Sequence, residues 1–324
     1  MNFPEGKRYN TFAGYYKRIY GERLQKLVLD TGFTCPNRDG TLGRGGCTYC
    51  DNAAFHPGYS VPGKDIFKQL EEGIEFNKVR YPRAKHYLAY FQSFSNTYAP
   101  LERLKDLYGK ALGHPSVVGI TIGTRPDCID DEKLAYLSAL NRGEALEGWH
   151  REGFESPIVT IEYGIESCYD KTLDRINRGH NFSCAEAAVK KTAEYGLDTG
   201  AHFILGLPGE TPEMLLAQCD KINSLPLKSV KFHQLQLVRG TKIEKEYEAH
   251  PEEFMRLSLP EYLDLIIDIL ERLRPNLYIE RVAGEVPPRF VKECHWGLIR
   301  NFDILHLLDS RLEERGTWQG RLVK

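Results

Sequence analysis

Three cysteines carry the first chemical signal in the chain. Of the eight among its 324 residues, Cys35, Cys47 and Cys50 fall within one short stretch, whereas Cys128, Cys168, Cys184, Cys219 and Cys294 are scattered. The spacing Cys-x11-Cys-x2-Cys encloses Pro36, Gly40, Gly43, Gly45 and Gly46, enough backbone freedom to fold three thiolates around one compact inorganic centre. The uneven placement reads as a ligand cluster and not as a disulfide framework. Structural zinc asks for four ligands in close pairs, and here a fourth would have to come from His56 or a distant cysteine. Simple buried thiols prefer apolar neighbours, but these sit among Asn37, Arg38, Asp39 and Arg44. An iron-sulfur cluster with one open iron is the better fit.

Something must hold these side chains in place. The cluster directly follows a β-rich run at 25–31, and similar runs recur at 86–94, 117–124, 158–165, 198–206 and 229–238, with a weaker seventh at 276–282. Helical patterns such as DIFKQLEEGIEFNKV and AEAAVKKTAEY lie between them. Strand then helix, repeated six times, predicts an α/β fold of parallel strands, a partial (β/α)6 TIM-like barrel with N- and C-terminal extensions. The expected units are an extension over 1–24, the barrel over 25–245, and a helical extension over 246–324 packed on the barrel. A doubly wound open sheet is the alternative, although no strand leads into a Gly-x-Gly-x-x-Gly turn and no phosphate loop is present. In the tail, Phe290, Trp296, Ile299, Phe302, Leu305, Leu308 and Leu312 recur at helical spacing. In a barrel, the loop after the first strand lies on the C-terminal rim, where chemistry is done.

Composition narrows the partners. With 41% hydrophobic and 27% charged residues the chain can bury a large core, which excludes disordered and collagen-like classes. Lys and Arg number 43 against 45 Asp and Glu, so a globally basic coat is excluded but local patches are not. Residues 77–101 contain Lys78, Arg80, Arg83 and Lys85 without an acid; residues 226–245 contain Lys228, Lys231, Arg239, Lys242 and Lys245 against Glu244. The N-terminus adds Lys7, Arg8, Lys17, Arg18, Arg23 and Lys26 against Glu5, Glu22 and Asp30. Basic groups interleaved with aromatics suit RNA, and ordinary solvated faces are the other reading. The N-terminus lacks the apolar run of a signal peptide, and no stretch offers the ~18 apolar residues of a membrane span. The expectation is a cytoplasmic protein without membrane contact.

The cysteine loop, with Tyr49 before its third cysteine, resembles that of the radical S-adenosylmethionine superfamily. Its long first gap is similar to the subgroup that includes the Elongator catalytic subunit and its short bacterial relatives. Further segments carry the same resemblance: Thr124-Arg125-Pro126-Asp127, Glu162-Tyr163-Gly164-Ile165-Glu166-Ser167, Ile176-Asn177-Arg178-Gly179-His180, Gly206-Leu207-Pro208-Gly209-Glu210 and Gly240-Thr241. Period two places Glu162, Gly164 and Glu166 on one face. Glu280-Arg281 and Trp296 also look family-like. Two positions depart from the pattern. The second strand ends Phe91-Gln92-Ser93-Phe94 where the family has a Gly-Gly run, and His202 replaces a glycine on the fifth strand, as a substrate-facing imidazole or as a filler.

The resemblance implies that Cys35, Cys47 and Cys50 ligate one [4Fe-4S] cluster whose open iron is chelated by S-adenosylmethionine, giving a 5′-deoxyadenosyl radical. It implies that Tyr49 packs near the adenine, that Glu166, Ser167 and Arg178 meet the ribose and carboxylate, and that Gln92, Ser93 and Gly206 complete the cofactor site. A surface ion pair is the other reading of Arg178. The expected reaction is on the carboxymethylaminomethyl side chain of tRNA wobble uridine, leaving aminomethyluridine, with the anticodon region as partner and a flavodoxin or ferredoxin as electron donor. The length leaves no room for the acetyltransferase domain of the Elongator subunit. Two alternatives remain open: a radical oxidoreductase of small molecules, and a non-enzymatic iron-sulfur or zinc module that binds RNA or senses redox state. The sequence assigns no catalytic acid or base.

Overall fold

A computed structural model describes residues 3–4, 6–293 and 295–323, so that Cys294 and Glu5 lie outside the described residues. The strands are β1 (Gln25–Leu29), β2 (Tyr87–Phe91), β3 (Val117–Thr124), β4 (Ile158–Glu166), β5 (Asp198–Leu205), β6 (Ser229–Gln234) and β7 (Tyr278–Arg281). They pair in parallel and in chain order from β1 to β7, forming a curled half-barrel. The six expected strands are joined by the weaker seventh expected at 276–282. The last has only four residues, YIER, two of them charged, so its own sequence signals a strand weakly.

The helices are α1 (Phe12–Tyr20), α2 (Pro36–Asp39), α3 (Ile66–Lys78), α4 (Leu101–Gly113), α5 (Asp131–Asn141) and α6 (Asp170–Arg175). They continue with α7 (Phe182–Glu194), α8 (Pro212–Ser224), α9 (Lys242–Ala249), α10 (Leu259–Arg272) and α11 (Asn301–Glu314). Asp65, Asp130, Asn181 and Thr211 start α3, α5, α7 and α8, each side chain accepting from an amide of the first turn. Strands β2 and β3 are buried along their whole length, as strands covered on both faces must be. Leu104 and Tyr108 of α4, Leu137 of α5, Leu215 of α8 and Ile266 of α10 join Ile122, Ile161, Phe203 and Phe232 of the sheet in one core.

The two ends of the chain cover the open side. Thr11 pairs in parallel with Ile279, whose amide donates to Asn10 O at 2.8 Å, so the residues before α1 cap the β7 edge. Gln319 accepts from Asn10 N and donates to Leu277 O, each at 2.8 Å. The tail departs from its expected helical run. Pro287 and Pro288 supply no amide donors, Gly297 adopts φ +72°, and α11 begins only at Asn301. Phe290 and Trp296 therefore precede the helix, and Phe302, expected on its packed face, is 69% exposed, while Leu308 and Leu312 are buried.

Parallel strands set a common direction, so the residues after each strand share one rim. The cysteine loop lies there. Of the basic windows, Lys78, Arg80, Arg83 and Lys85 precede β2 and Lys228 precedes β6, which puts them at the opposite rim. Arg239, Lys242 and Lys245 follow β6 and stand on the cysteine rim.

Candidate active site

Cys35 is the residue preceding α2, and Cys47 and Cys50 close the same loop, with Cys50 N donating to Cys47 O at 3.1 Å. The turn after α6 anchors this loop from across the rim. Asn177 Nδ2 donates to Gly46 O at 2.8 Å, Asn37 Nδ2 to Asn177 O at 2.5 Å, and Thr48 N to Ile176 O at 2.9 Å.

Nitrogen donors converge on the three sulfurs. Arg178 Nη1 lies 3.5 Å from Cys47 Sγ, Asn37 Nδ2 3.8 Å from the same sulfur, Asn52 Nδ2 3.9 Å from Cys50 Sγ, and Arg125 Nη1 4.0 Å from Cys35 Sγ. Arg38 donates to the Cys50 carbonyl at 2.6 Å. Burial and the neighbouring Cys47 sulfur push the Cys50 thiol up, against the opposing pull of Arg38 and Arg178. Arg178 also donates to Gly164 O and lies 3.7 Å from Glu166 Oε1; a solvated surface ion pair, the other reading of Arg178, is overturned by its burial at the cysteines.

Backbone strain concentrates here. Among the described residues the non-glycine residues at positive φ are Phe94 (65°), Glu166 (72°) and Asn177 (53°), and all three border the site. A register shift between Gly164 and Glu166 turns Glu166 toward the rim. Gly164 has no room for a side chain: a Cβ would lie 2.5 Å from Glu166 Oε1 and 2.7 Å from Arg178 Nη2.

A cavity of about 260 Å³ opens beside the cysteines. Of the residues singled out in the sequence, Cys35, Cys47, Cys50, Tyr49, Gln92, Glu166 and Arg178 line it. Ser93 and Ser167 are buried and do not line it; Gly206 lines an adjoining chamber of about 450 Å³ that shares Phe55, Gln234, Gln236, Gly284 and Glu285 with the first. Ser167 instead donates to Glu210 Oε1 at 2.5 Å. Burial raises the Glu210 carboxyl to about 7, against the opposing bonds from Ser167 and Thr172. A carboxyl whose folded value is raised favours the native state while protonated and loses that contribution as pH rises through the folded value. Urea midpoints should therefore fall between about pH 5 and pH 7.5, by up to about 3 kcal/mol in stability, and Glu210→Gln should flatten that slope. An identical slope in wild type and variant would overturn the assignment.

Away from the cysteines the cavity ends on an ionic floor that sequence reasoning did not assemble. Glu162 of β4, fully buried, accepts from Lys26 of β1 and, at 2.6 Å, from Lys231 of β6, and lies 2.9 Å from His202 Nε2 of β5. Glu280 of β7 pairs with Lys26 at 2.6 Å and with Lys231 at 2.9 Å. Burial opposes the charge on Glu162, but Lys231, Lys26 and His202 overcome it and hold the carboxyl well below the usual range. Lys26 and Lys231, counted above in basic windows, thus turn inward. His202, open as imidazole or filler, lines the cavity and leans on Glu162. The period-two face of Glu162, Gly164 and Glu166 was the one signal pointing here.

The donors around the sulfurs fit an anionic cluster. The buried Arg178 Nε has no partner among the described residues, and the converging N–H donors are what an anionic thiolate cluster requires.

A parallel half-barrel that presents three rim cysteines to a cavity frames an enzyme built around a redox cluster. The chain belongs to the radical S-adenosylmethionine superfamily: residues 35–221 match the Radical SAM superfamily model and residues 227–314 the Radical_SAM C-terminal domain. It is accordingly an enzyme that uses a [4Fe-4S] cluster and S-adenosylmethionine. The chain is 33% identical over 318 residues to the protein YtqA of Bacillus subtilis, covering 98% of this chain and 94% of that one. It is 26% identical over 202 residues to a tRNA uridine(34) acetyltransferase of Dehalococcoides mccartyi, covering 60% of this chain and 39% of the relative. The fold superposes on archaeal Elp3 of Methanocaldococcus infernus with a TM-score of 0.66 at 15% identity, over 91% of this chain and 64% of that structure. No helix among the described residues is long and apolar enough to cross a membrane.

Proposed function

We propose that Cys35, Cys47 and Cys50 hold the cluster and that the enzyme acts on the carboxymethylaminomethyl side chain of tRNA wobble uridine, removing its carboxymethyl part to leave aminomethyluridine. When bound, the reduced cluster and S-adenosylmethionine supply a 5′-deoxyadenosyl radical that would abstract a hydrogen atom from the carboxymethyl carbon; loss of a second electron to a one-electron acceptor would give an imine, and water would hydrolyse it to aminomethyluridine and glyoxylate. The protein's residues orient and exclude. Arg178, Arg125 and Asn37 would steady the thiolates, Glu166 and Tyr49 would contact the nucleoside end of the cofactor, and Gln92, on the same cavity, would meet its amino group. Ser167 acts through Glu210, and Gly206 belongs to the adjoining chamber.

The observation that carries the reading is the cavity itself. It runs from three cysteines to a polar floor and adjoins a second chamber lined by Trp296, which would give a nucleoside side chain a path to the radical. The likeness to a relative named for uridine 34 of tRNA supports the substrate, and Lys242, packed against Gly45 on the cysteine rim, supports an approach of phosphates from that side. An electron donor of flavodoxin or ferredoxin type would reduce the cluster. Deleting the gene should convert the tRNA nucleoside profile from aminomethyl-derived uridines to accumulated carboxymethylaminomethyluridine, read by mass spectrometry. An unchanged wobble-uridine profile would overturn the proposal.

A further inference from the structure

Among the described residues, one cation lining the cavity has no partner in the fold. Arg125 is engaged by Asp127, Arg178 by Glu166 and Cys47, Lys231 by Glu162 and Glu280, and Arg38 by the Cys50 carbonyl. Arg281 lines the same cavity and makes no ion pair or side-chain hydrogen bond among the described residues. Its position has a structural cause. A register shift where β6 meets β7 sets Lys231 opposite Arg281, so Glu280 turns to the ionic floor while its neighbour Arg281 still reaches the cavity.

Four residues further, Glu285 stands at the junction of the cavity and the larger chamber. Its carboxylate accepts from the Asn301 amide and has no cationic partner among the described residues. Gln234 fixes the junction by donating to Gly284 O at 3.0 Å and accepting from Gly284 N at 2.8 Å. Gly284 is required there, because a Cβ would come within 2.9 Å of His233 Nδ1. Burial and the adjacent Arg281 keep the His233 imidazole neutral, which leaves Arg281 as the unneutralised charge on this wall.

An N-substituted glycine at neutral pH is a carboxylate joined to a secondary ammonium. We infer that Arg281 and Glu285 form the subsite for this zwitterion, the guanidinium receiving the carboxylate and Glu285 the ammonium. The inference rests on the proposed substrate and deepens it: the pair would select the carboxymethylamino group over neutral uridine side chains at the point where the side chain passes from chamber to cavity.

The test uses the holoenzyme and anticodon stem-loops bearing either carboxymethylaminomethyluridine or its carboxamide analogue. Wild type should prefer the carboxylate. Arg281→Gln should raise KM for the carboxylate stem-loop about 10- to 100-fold and erase the preference over the amide, since a charge-assisted bond is lost. Arg281→Lys should restore part of the preference, and Glu285→Gln should raise KM without erasing it. Arg281 has no partner to lose among the described residues, so the melting temperature should stay at the wild-type value. A wild-type enzyme that converts the carboxylate stem-loop while Arg281→Gln keeps the same preference overturns the subsite and leaves the function standing. A wild-type enzyme that converts neither overturns the function, and the subsite with it.

Discussion

Replacing Cys47 by alanine is expected to empty the site of iron. Anaerobically reconstituted wild type should carry about four irons per chain, as one [4Fe-4S] cluster requires, and the variant less than about one. Cleavage of S-adenosylmethionine to 5′-deoxyadenosine should fall by more than about 100-fold, beyond what loss of an outer partner of a metal ligand costs. Cys47 is the sulfur with the most donors on it, from Arg178 and Asn37, and its loop is tied to Asn177 and Ile176 on the facing turn. The sulfur is therefore fixed by tertiary contacts that alanine leaves intact, so the variant should fold while losing its cluster. The non-enzymatic alternative, an iron-sulfur or zinc module, predicts no 5′-deoxyadenosine in either protein, and its zinc form predicts stoichiometric zinc with iron near zero. That outcome would remove the mechanism proposed for the chain.

Glu162→Ala should have the largest effect on folding. The side chain is 1% exposed and faces Lys26 and Lys231, which are 13% and 5% exposed. Removing the acid leaves Glu280 alone against two ammoniums in the barrel interior. Breaking a buried pair in this way costs about 3–5 kcal/mol, whereas replacing both partners by apolar residues costs much less. Equilibrium unfolding should accordingly show Glu162→Ala destabilised by that amount, and the double variant Glu162→Ala with Lys231→Met less affected than the single. The pH dependence has a definite sign. The folded value of Glu162 is depressed, so its contribution is complete above the ordinary carboxylate value of about 4.3 and is lost as pH falls below it. Wild type and variant should therefore differ most at neutral pH and converge in acid. A single variant within about 1 kcal/mol of wild type at pH 7 would mean that the floor is solvated and contributes nothing to the fold.

The same floor bears on specificity. Two lysines and two glutamates offset one another at the deep end of the cavity, so on the proposed substrate an anionic group would find its attraction at the wall where Arg281 stands. One set of charges thus holds β1, β4, β6 and β7 together, and another, Arg38, Arg125 and Arg178, surrounds the sulfurs.

Much of this was legible in the chain before any fold was known. The cysteine triad spans a single loop, and period-two and helical patterns are local as well, so short windows placed six strands and the helices between them within a few residues. The chemistry of the rim followed, because a parallel sheet puts every strand's C-terminal end on one side. What only the tertiary structure decided is set by contacts between distant windows. Lys26 and Glu280 are 254 residues apart, and nothing near either one foretells that they share a buried pair with Lys231 and Glu162. Their lysines read as basic surface, and the structure turned them inward. Likewise Ser167 proved to be bonded to Glu210, Gly206 to wall a second chamber, and Arg281 to have no partner among the described residues. Sequence fixes which groups exist and how they alternate along a strand; which charges neutralise one another, and which one stays free for a substrate, depends on how the barrel curls.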